Sequence, residues 1–334
     1  MPSLSLRWTV PGTGFFTPFS APTRAVDGSV VARIGARLVV VNTADGTVIR
    51  STELGQTGGQ GTVVPVPLED GGVVTDTYPE RNVYGLCRVA PQGTVAWSVP
   101  LGRLLTRPPR VDGDVIAVGI RRDGKNFDVR LDLETGVETS ATLDAGAGLR
   151  TPHATWTEGD GESQAVRTGA DGTSRVLDAC PLDQMGAAEG RVWAVARPHW
   201  TDKTTPPSFV AWDEASGEEI VRVALGATSV TVVAGRAYLL AKGADAFPIQ
   251  SWSLADGTHR WTSDVFREVP SHVSLDACPG VLAVRYTGLT LLLALPDGQP
   301  LGRIDGGAAP PLRVDNSLYM VTRQGLCAFE IAGG

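Results

Sequence analysis

The stretch Tyr84 to Leu101, YGLCRVAPQGTVAWSVPL, joins a short apolar run to a Pro-Gln-Gly turn and then to a second strand-like run carrying a tryptophan. Weaker copies recur along the chain, with glycine-bearing turns at Gly46, Gly93, Gly136, Gly172, Gly217, Gly257 and Gly298. A repeat of roughly 40 residues with no helical pattern between copies predicts a propeller of small antiparallel sheets.

A second signal alternates with the first. It is a Pro-x-x-Val-Asp-Gly-like element that ends an inner strand: PTRAVDGSVVAR at Pro22, PPRVDGDVIAVG at Pro108 and PPLRVDNSLYMV at Pro310. Looser copies are PVPLEDGGVV, MGAAEGRVWAV, TVVAGRAYLLA and DACPGVLAV, and the stretch Thr157 to Glu162 brings the inner turns to eight. Eight inner turns balance seven outer ones if Pro310 to Ile331 supplies three strands of the last sheet and Leu4 to Val10, LSLRWTV, supplies its outermost strand. That arrangement leaves no free edge at the seam. The expected architecture is an all-β, eight-bladed propeller of four-stranded antiparallel blades, one domain over residues 1–334. Between Gly159 and Gly172 the chain is short for two strands and a loop, so either the fourth sheet is irregular or one turn lies elsewhere. Seven blades is the alternative.

Side-chain sizes support this alignment. Six residues before and four after an outer-turn glycine, a small residue goes with a tryptophan: Cys87 with Trp97 and Ser251 with Trp261, and at the seam Cys327 with Trp8. Without the tryptophan the first position is larger, as in Val40 facing Arg50 and Arg130 facing Ser140, while Ala211 with Val221 fits less well. Close packing between stacked sheets requires such compensation.

The pattern small-x-Asp-x-x-Thr-Gly-x-x-x-Trp resembles the tryptophan docking repeat of the pyrroloquinoline-quinone-like propellers. Trp8, Trp97 and Trp261 keep the aromatic, while LDLETG at Leu131 to Gly136 and AWDEASG at Ala211 to Gly217 keep the turn half. That superfamily holds quinoprotein alcohol dehydrogenases and a scaffold component of bacterial outer-membrane protein assembly, so the resemblance implies fold more than function. The dehydrogenases are longer chains with a vicinal cysteine pair over the quinone and acidic calcium ligands beside it. No Cys-Cys occurs here, which argues against quinone binding.

Composition fits the same picture. Gly 40 and Pro 23 beside ample apolar residues suit a turn-rich β protein rather than disorder. A net charge of −7 argues against nucleic acid as the main partner. The start MPSLSLRW has no signal-peptide pattern, and the longest apolar run, Leu289 to Leu295, is too short to span a bilayer, so a cytoplasmic protein without membrane contact is expected. Cys87, Cys180, Cys278 and Cys327 have no Cys-x-x-Cys spacing and are expected as buried thiols. The loop GQTGGQGT at Gly55 to Thr62 precedes no helix and reads as a connector rather than a phosphate cradle. The carboxylates of Glu158 to Glu162 read as a solvated turn rather than a calcium loop. Gly-x-Ser-x-Gly, His-Glu-x-x-His and the Walker loop are absent.

What remains is one loop-bearing side, where second-to-third strand loops and the links between sheets emerge. Arg81, Arg107, Arg110, Arg121, Arg122, Arg150, Lys203, Arg267, Arg285 and Arg323 fall there, with Trp200 and Phe247 as exposed aromatics, and predict an electropositive, interaction-prone face. The opposite side carries Asp27, Glu69, Asp70, Asp112 and Glu134, which turn chemistry explains. Two functions are compatible with this. The first is a non-catalytic, monomeric scaffold binding an acidic protein or peptide with the basic face. The second is an enzyme on a small anionic substrate at the channel mouth, with His153, His199, His272 or Tyr286 as acid or base. No metal is expected, since a site would need the three histidines to converge from separate sheets.

Overall fold

The computed structural model describes residues 3–12, 20–54, 64–80, 83–102, 104–143, 149–158, 165–169, 171–178, 182–196, 205–243, 247–266, 273–286, 288–306 and 309–332. Every regular element among them is a β-strand. Strand β1 (Ser3–Pro11) is followed by β2–β5 (Thr23–Arg24, Val30–Ile34, Arg37–Val41, Val48–Glu53), which pair in sequence order as one sheet. Strands β6–β9 (Val66–Pro67, Val73–Glu80, Val83–Val89, Val95–Gly102) and β10–β13 (Leu104–Asp112, Val115–Arg122, Lys125–Asp132, Glu138–Leu143) form the next two sheets, again in sequence order. So do β14–β17 (Leu149–Arg150, Ala154–Glu158, Ala165–Gly169, Ser174–Asp178).

Strands β18–β24 (Leu182–Ala188, Arg191–Ala196, Ser208–Asp213, Glu219–Val233, Arg236–Ala241, Phe247–Ser253, His259–Phe266) make one seven-stranded sheet. Its middle strand β21 pairs with β20 through Glu219 to Ala224 and with β22 through Leu225 and Val230 to Val233. It therefore ends one set of four strands and begins the next. Strands β25–β28 (Ser274–Cys278, Val281–Tyr286, Leu289–Ala294, Pro300–Asp305) form a further sheet. The last, in the order β1-β31-β30-β29, adds β29–β31 (Leu312–Val314, Ser317–Thr322, Gly325–Ala332) to the N-terminal strand, with Trp8 opposite Ala328 and Thr9 opposite Cys327.

The chain divides into two compact units, residues 1–144 with 288–290 and 301–334, and residues 145–287 with 291–300. In the first, Val30, Ala32, Val39 and Val41 pack with Tyr319, Val321 and Leu326, and Leu86, Ile116, Val118 and Leu131 form a second cluster. In the second, Phe209, Leu225 and Leu239 share one cluster, and Tyr238, Trp261, Leu282 and Val284 another. These inner strands read as near-continuous Val, Ile and Leu because both faces are covered; β3 and β30 are buried throughout.

The seven outer-turn glycines all sit between third and fourth strands with φ between 67° and 92°. The expected pairs Val40–Arg50, Arg130–Ser140, Ala211–Val221 and Ser251–Trp261 face each other. Two do not. Trp97 faces Arg88, not Cys87, because the turn at Gly93 closes through Ala90 N to Thr94 O, one residue tighter than the Asn42-to-Thr47 turn of the preceding sheet. Trp8 likewise faces Ala328 rather than Cys327, next to a register shift between Leu6 and Trp8.

The fourth sheet resolves its crowding by moving a turn. Its first and second strands meet at Thr151 to His153, where the Thr151 amide donates to Ala154 O, and Glu158 is the last residue of β15 rather than part of an inner turn. The tight turn has no glycine, which is why the sequence pattern passed over it. Cys87, Cys278 and Cys327 are buried and form no disulfide. Cys180, Gly159 to Glu162 and the loop Gly55 to Thr62 lie outside the described residues.

Candidate functional site

The expected basic, aromatic side holds less open charge than its arginine count implies. Arg81, His199, Trp200, Lys203, Arg267 and His272 lie outside the described residues, as does the side chain of Arg150 on β14. Arg107 lies opposite Gly119, reaches past it to the next strand and pairs with Asp128. Arg122 forks onto Glu138 at 2.6 and 3.2 Å, and Arg285 donates to Asp276 at 2.6 Å. Arg110 faces Ala117 near the Gly113 turn and lies 3.7 Å from Asp112. It thus belongs to the opposite end of its sheet from Arg121 and Arg122, a correction to the expected face. Exposed pairs such as these add at most about 1 kcal/mol each, but they cancel the field the arginines would project. Among the described residues, Arg121 and Arg323 are the members of the expected set that carry no ion pair.

The other expected contributors are also redistributed. His153 sits in the first-to-second strand turn of its sheet, not on a second-to-third strand loop, and its backbone amide donates to Glu214 at 3.3 Å. Phe247 is half-buried and packs with Phe266 and Tyr286, whose ring meets Phe266 edge-on at 4.7 Å. Phe247 therefore anchors its own sheet rather than standing out as a contact residue. Tyr286 stays close to it, on a different sheet from the one whose turn carries His153.

A different site is built by the turns at the other end of the first unit's sheets. A cleft of about 500 Å³ lies between the sheets β2–β5 and β6–β9, lined by Val26, Asp27, Ile49, Arg50, Glu69 and Pro91 among others. Val26 and Ile49 are 74% and 59% exposed, high for apolar side chains beside a concavity. A second cleft of about 440 Å³, between β6–β9 and β10–β13, shares the wall Pro67 to Asp70 and adds Arg88 and Glu134.

The charges of the two clefts are arranged asymmetrically. Arg50 lays its stem on Gly93, where an added Cβ would come within 3.1 Å of its Cγ and Cδ. Its guanidinium donates to the carbonyl oxygens of Ala90, Pro91 and Gly71. Burial draws the Arg50 value down, opposed by Asp27 and Asp70. Arg88 is buried and donates to Glu134 at 2.5 Å and to Asp70 at 2.7 Å, so the Glu134 hydrogen bond first, and then Asp70, hold its value up. The terminal nitrogens of both cations thus bond to the protein itself, while the Nε of each is buried without a partner.

The carboxylates differ in how far they are already engaged, Asp70 and Glu134 being paired with Arg88. Asp27 accepts from the Ser29 hydroxyl at 2.6 Å and amide at 2.9 Å, which holds it below the usual carboxylate range. For Asp70 burial pushes upward, but the Gly72 amide and Arg88 outweigh it and the value is lowered. Glu69 is exposed and makes no ion pair among the described residues. The result is an apolar concavity with an ionised acidic rim. It can take an apolar group accompanied by positive charge, and it disfavours an anion.

Sequence reasoning missed this site because its walls come from turns up to about 65 residues apart, and it assigned the acids to turn chemistry alone. One signal was present: an apolar valine inside the turn AVDGS and an isoleucine immediately before Arg50.

No protein-family model matches the chain, and no curated protein matches it. Solved structures do. BamB from Moraxella catarrhalis superposes with a TM-score of 0.59 at 15% identity, over 99% of this chain and 98% of that one. Quinohemoprotein alcohol dehydrogenase from Comamonas testosteroni gives a TM-score of 0.60 at 12% identity, over 99% of this chain and 77% of that one. The C-terminal WD40 domain of Sif2 gives 0.55 at 10% identity, over 99% of both chains. The chain shares the β-propeller fold of these structures. Cys87, Cys278 and Cys327 are buried on three different sheets.

Proposed function

We propose that this chain is a non-catalytic propeller scaffold that binds a protein partner through the clefts between its sheets. The observation that carries this reading is the exposure of Val26 and Ile49 at the mouth of a cleft of about 500 Å³, since apolar side chains beside a concavity are what partner side chains fill. The structural likeness to BamB and to a WD40 domain is compatible with it. In this reading the propeller has eight blades: β21 serves two of them and β1 completes the last. We take residues 1–334 to work as one monomeric domain in the cytoplasm, with no quinone, calcium or other cofactor and with neither nucleic acid nor membrane as partner.

A second reading places an acidic protein, or a small anionic ligand, against the opposite loops. It is favoured by Arg121 and Arg323, which make no ion pair among the described residues. The test is a photo-crosslinking amino acid placed at Val26 in one variant and at Arg121 in another, each exposed to native lysate. Capture of a protein from Val26, lost when Ile49→Asp is added, supports the cleft. Capture from Arg121 alone moves the binding surface to the arginine end, and capture from neither position overturns the scaffold.

A further inference from the structure

The two adjoining clefts differ from an ordinary surface depression in how their charge is disposed. Three kinds of group line them. Apolar side chains, Val26 and Ile49 at the mouth with Val31 and Val40 behind them, form the floor and lip of the first. Carboxylates at Asp27, Glu69 and Asp70 stand around it, and Glu134 continues the row in the second cleft. The two arginines are turned inward, Arg50 onto three backbone carbonyls and Arg88 onto two carboxylates. An anion entering here would have to compete with those carbonyls and carboxylates for the terminal nitrogens of either guanidinium, and both Nε atoms are buried. A cation would find Glu69, which is exposed and has no ion-pair partner among the described residues.

We infer, resting on the scaffold reading above, that the occupant of these clefts is an extended peptide segment of a partner protein, with an apolar side chain seated between Val26 and Ile49 and a flanking lysine or arginine on Glu69. Extension follows from the shape of the site. The clefts share the wall Pro67 to Asp70, so a segment running over that wall places alternate side chains into the two concavities, as an extended chain does. The apolar contact supplies affinity, and the acidic rim selects the flanking charge and speeds encounter.

The test uses the full chain and three fluorescein-labelled pentapeptides with leucine at the second and fourth positions and lysine, serine or glutamate at the other three. Fluorescence anisotropy should rank lysine over serine over glutamate, with the lysine peptide bound at least about ten-fold more tightly than the glutamate peptide at low salt. That advantage should shrink as salt rises to about 1 M, where the screening length falls to about 3 Å. Glu69→Lys, at an exposed position with no ion pair among the described residues, should narrow or reverse the order. Ile49→Asp should weaken the serine peptide, which reads the apolar contact without the charge.

An order unchanged by Glu69→Lys, or a glutamate peptide bound as well as the lysine one, overturns the inference while leaving the cleft as a binding surface. Failure of all three peptides to bind also overturns it. Whether the scaffold reading then survives is decided separately by crosslinking from Val26.

Discussion

The indole Nε1 of Trp97 donates to the carbonyl oxygen of Leu133 at 2.9 Å, so the outer strand of one sheet is tied to the outer turn of the next. Trp261 makes the same bond to Leu295, also at 2.9 Å. In each case the ring lies on a turn glycine, Gly136 or Gly298, and Trp8 lies on Gly46 in the same way. Arg50 takes the equivalent place on Gly93 with its aliphatic stem. A Cβ added at Gly136 would come 2.7 Å from the Trp97 ring, and φ there is +69°. Gly136→Ala should therefore cost about 1–3 kcal/mol for overpacking in addition to the backbone strain. Gly172→Ala, where nothing lies within 4 Å, carries the strain alone. Urea unfolding of the two variants checks this: equal losses would deny the ring its role.

Arg33 and Asp76 form a buried ion pair between neighbouring sheets, Nη1 to Oδ1 at 2.7 Å, with both side chains less than a tenth exposed. Removing one partner strands a buried charge. Asp76→Ala should cost about 3–5 kcal/mol, whereas the double change Arg33→Met with Asp76→Leu should come much nearer to the wild type. Chemical denaturation of the three proteins distinguishes a paired charge from a merely well-packed aspartate, for which the double variant would be the worse of the two.

The Cys87 thiol sits beside that pair, and burial pushes it up to about 12, with Arg33 pulling it back and Asp76 adding to the rise. Thiolate is the reactive form, so Cys87 should resist iodoacetamide at pH 8 in the folded protein and react once unfolded. Peptide mapping after labelling reads this directly, and alkylation of Cys87 under native conditions would contradict it.

Asp256 shows how the outer turns respond to acid. Hydrogen bonds from the Thr258 hydroxyl, then Ser253, then the Thr258 amide hold its carboxyl at about 2, below the ordinary 3.8. Its folded value is depressed, so its contribution to stability is complete above 3.8 and is lost as pH falls through about 2. Carboxyl NMR titration should find the low midpoint in the wild type and a rise toward the ordinary value in Thr258→Val. A wild-type midpoint near 3.8 would refute it.

Gly119 leaves the gap through which Arg107 reaches Asp128. A Cβ there would meet Thr106 Oγ1 at 2.7 Å and Arg107 Cβ at 2.9 Å. Gly119→Ala should cost about 1–3 kcal/mol, far more than Arg107→Ala, which removes a half-exposed pair worth at most about 1 kcal/mol. Thermal unfolding of the two variants should show that order.

What was readable in the sequence follows from which signals are local. Glycines in third-to-fourth strand turns announce themselves because a left-handed backbone admits little else, and Pro22 and Pro310 mark the starts of inner strands for a similar reason. The turn at Thr151 to His153 carries no glycine, only Pro152, so the glycine pattern points instead to Thr157 to Glu162. The charged rim failed for a different cause. Whether Arg107, Arg122 or Arg285 is free depends on register against strands 9 to 21 residues away, and on a gap such as Gly119. The clefts were out of reach in the same way, since Val26, Ile49 and Pro91 meet only through the stacking of separate sheets.

The pairing of Ser3 with Ala332 sets a schedule for biosynthesis. Residues 3 to 11 leave the ribosome before the other described strands, yet their hydrogen-bonding partner is made more than three hundred residues later, so they wait unpaired while the sheets between them form. Such a long-range contact carries a large loop-closure entropy and belongs to the slow end of folding. The last sheet should therefore be the final one to gain protection in pulsed hydrogen exchange, and a nascent chain stalled before β31 should present its opening strand to whatever chaperone is at hand.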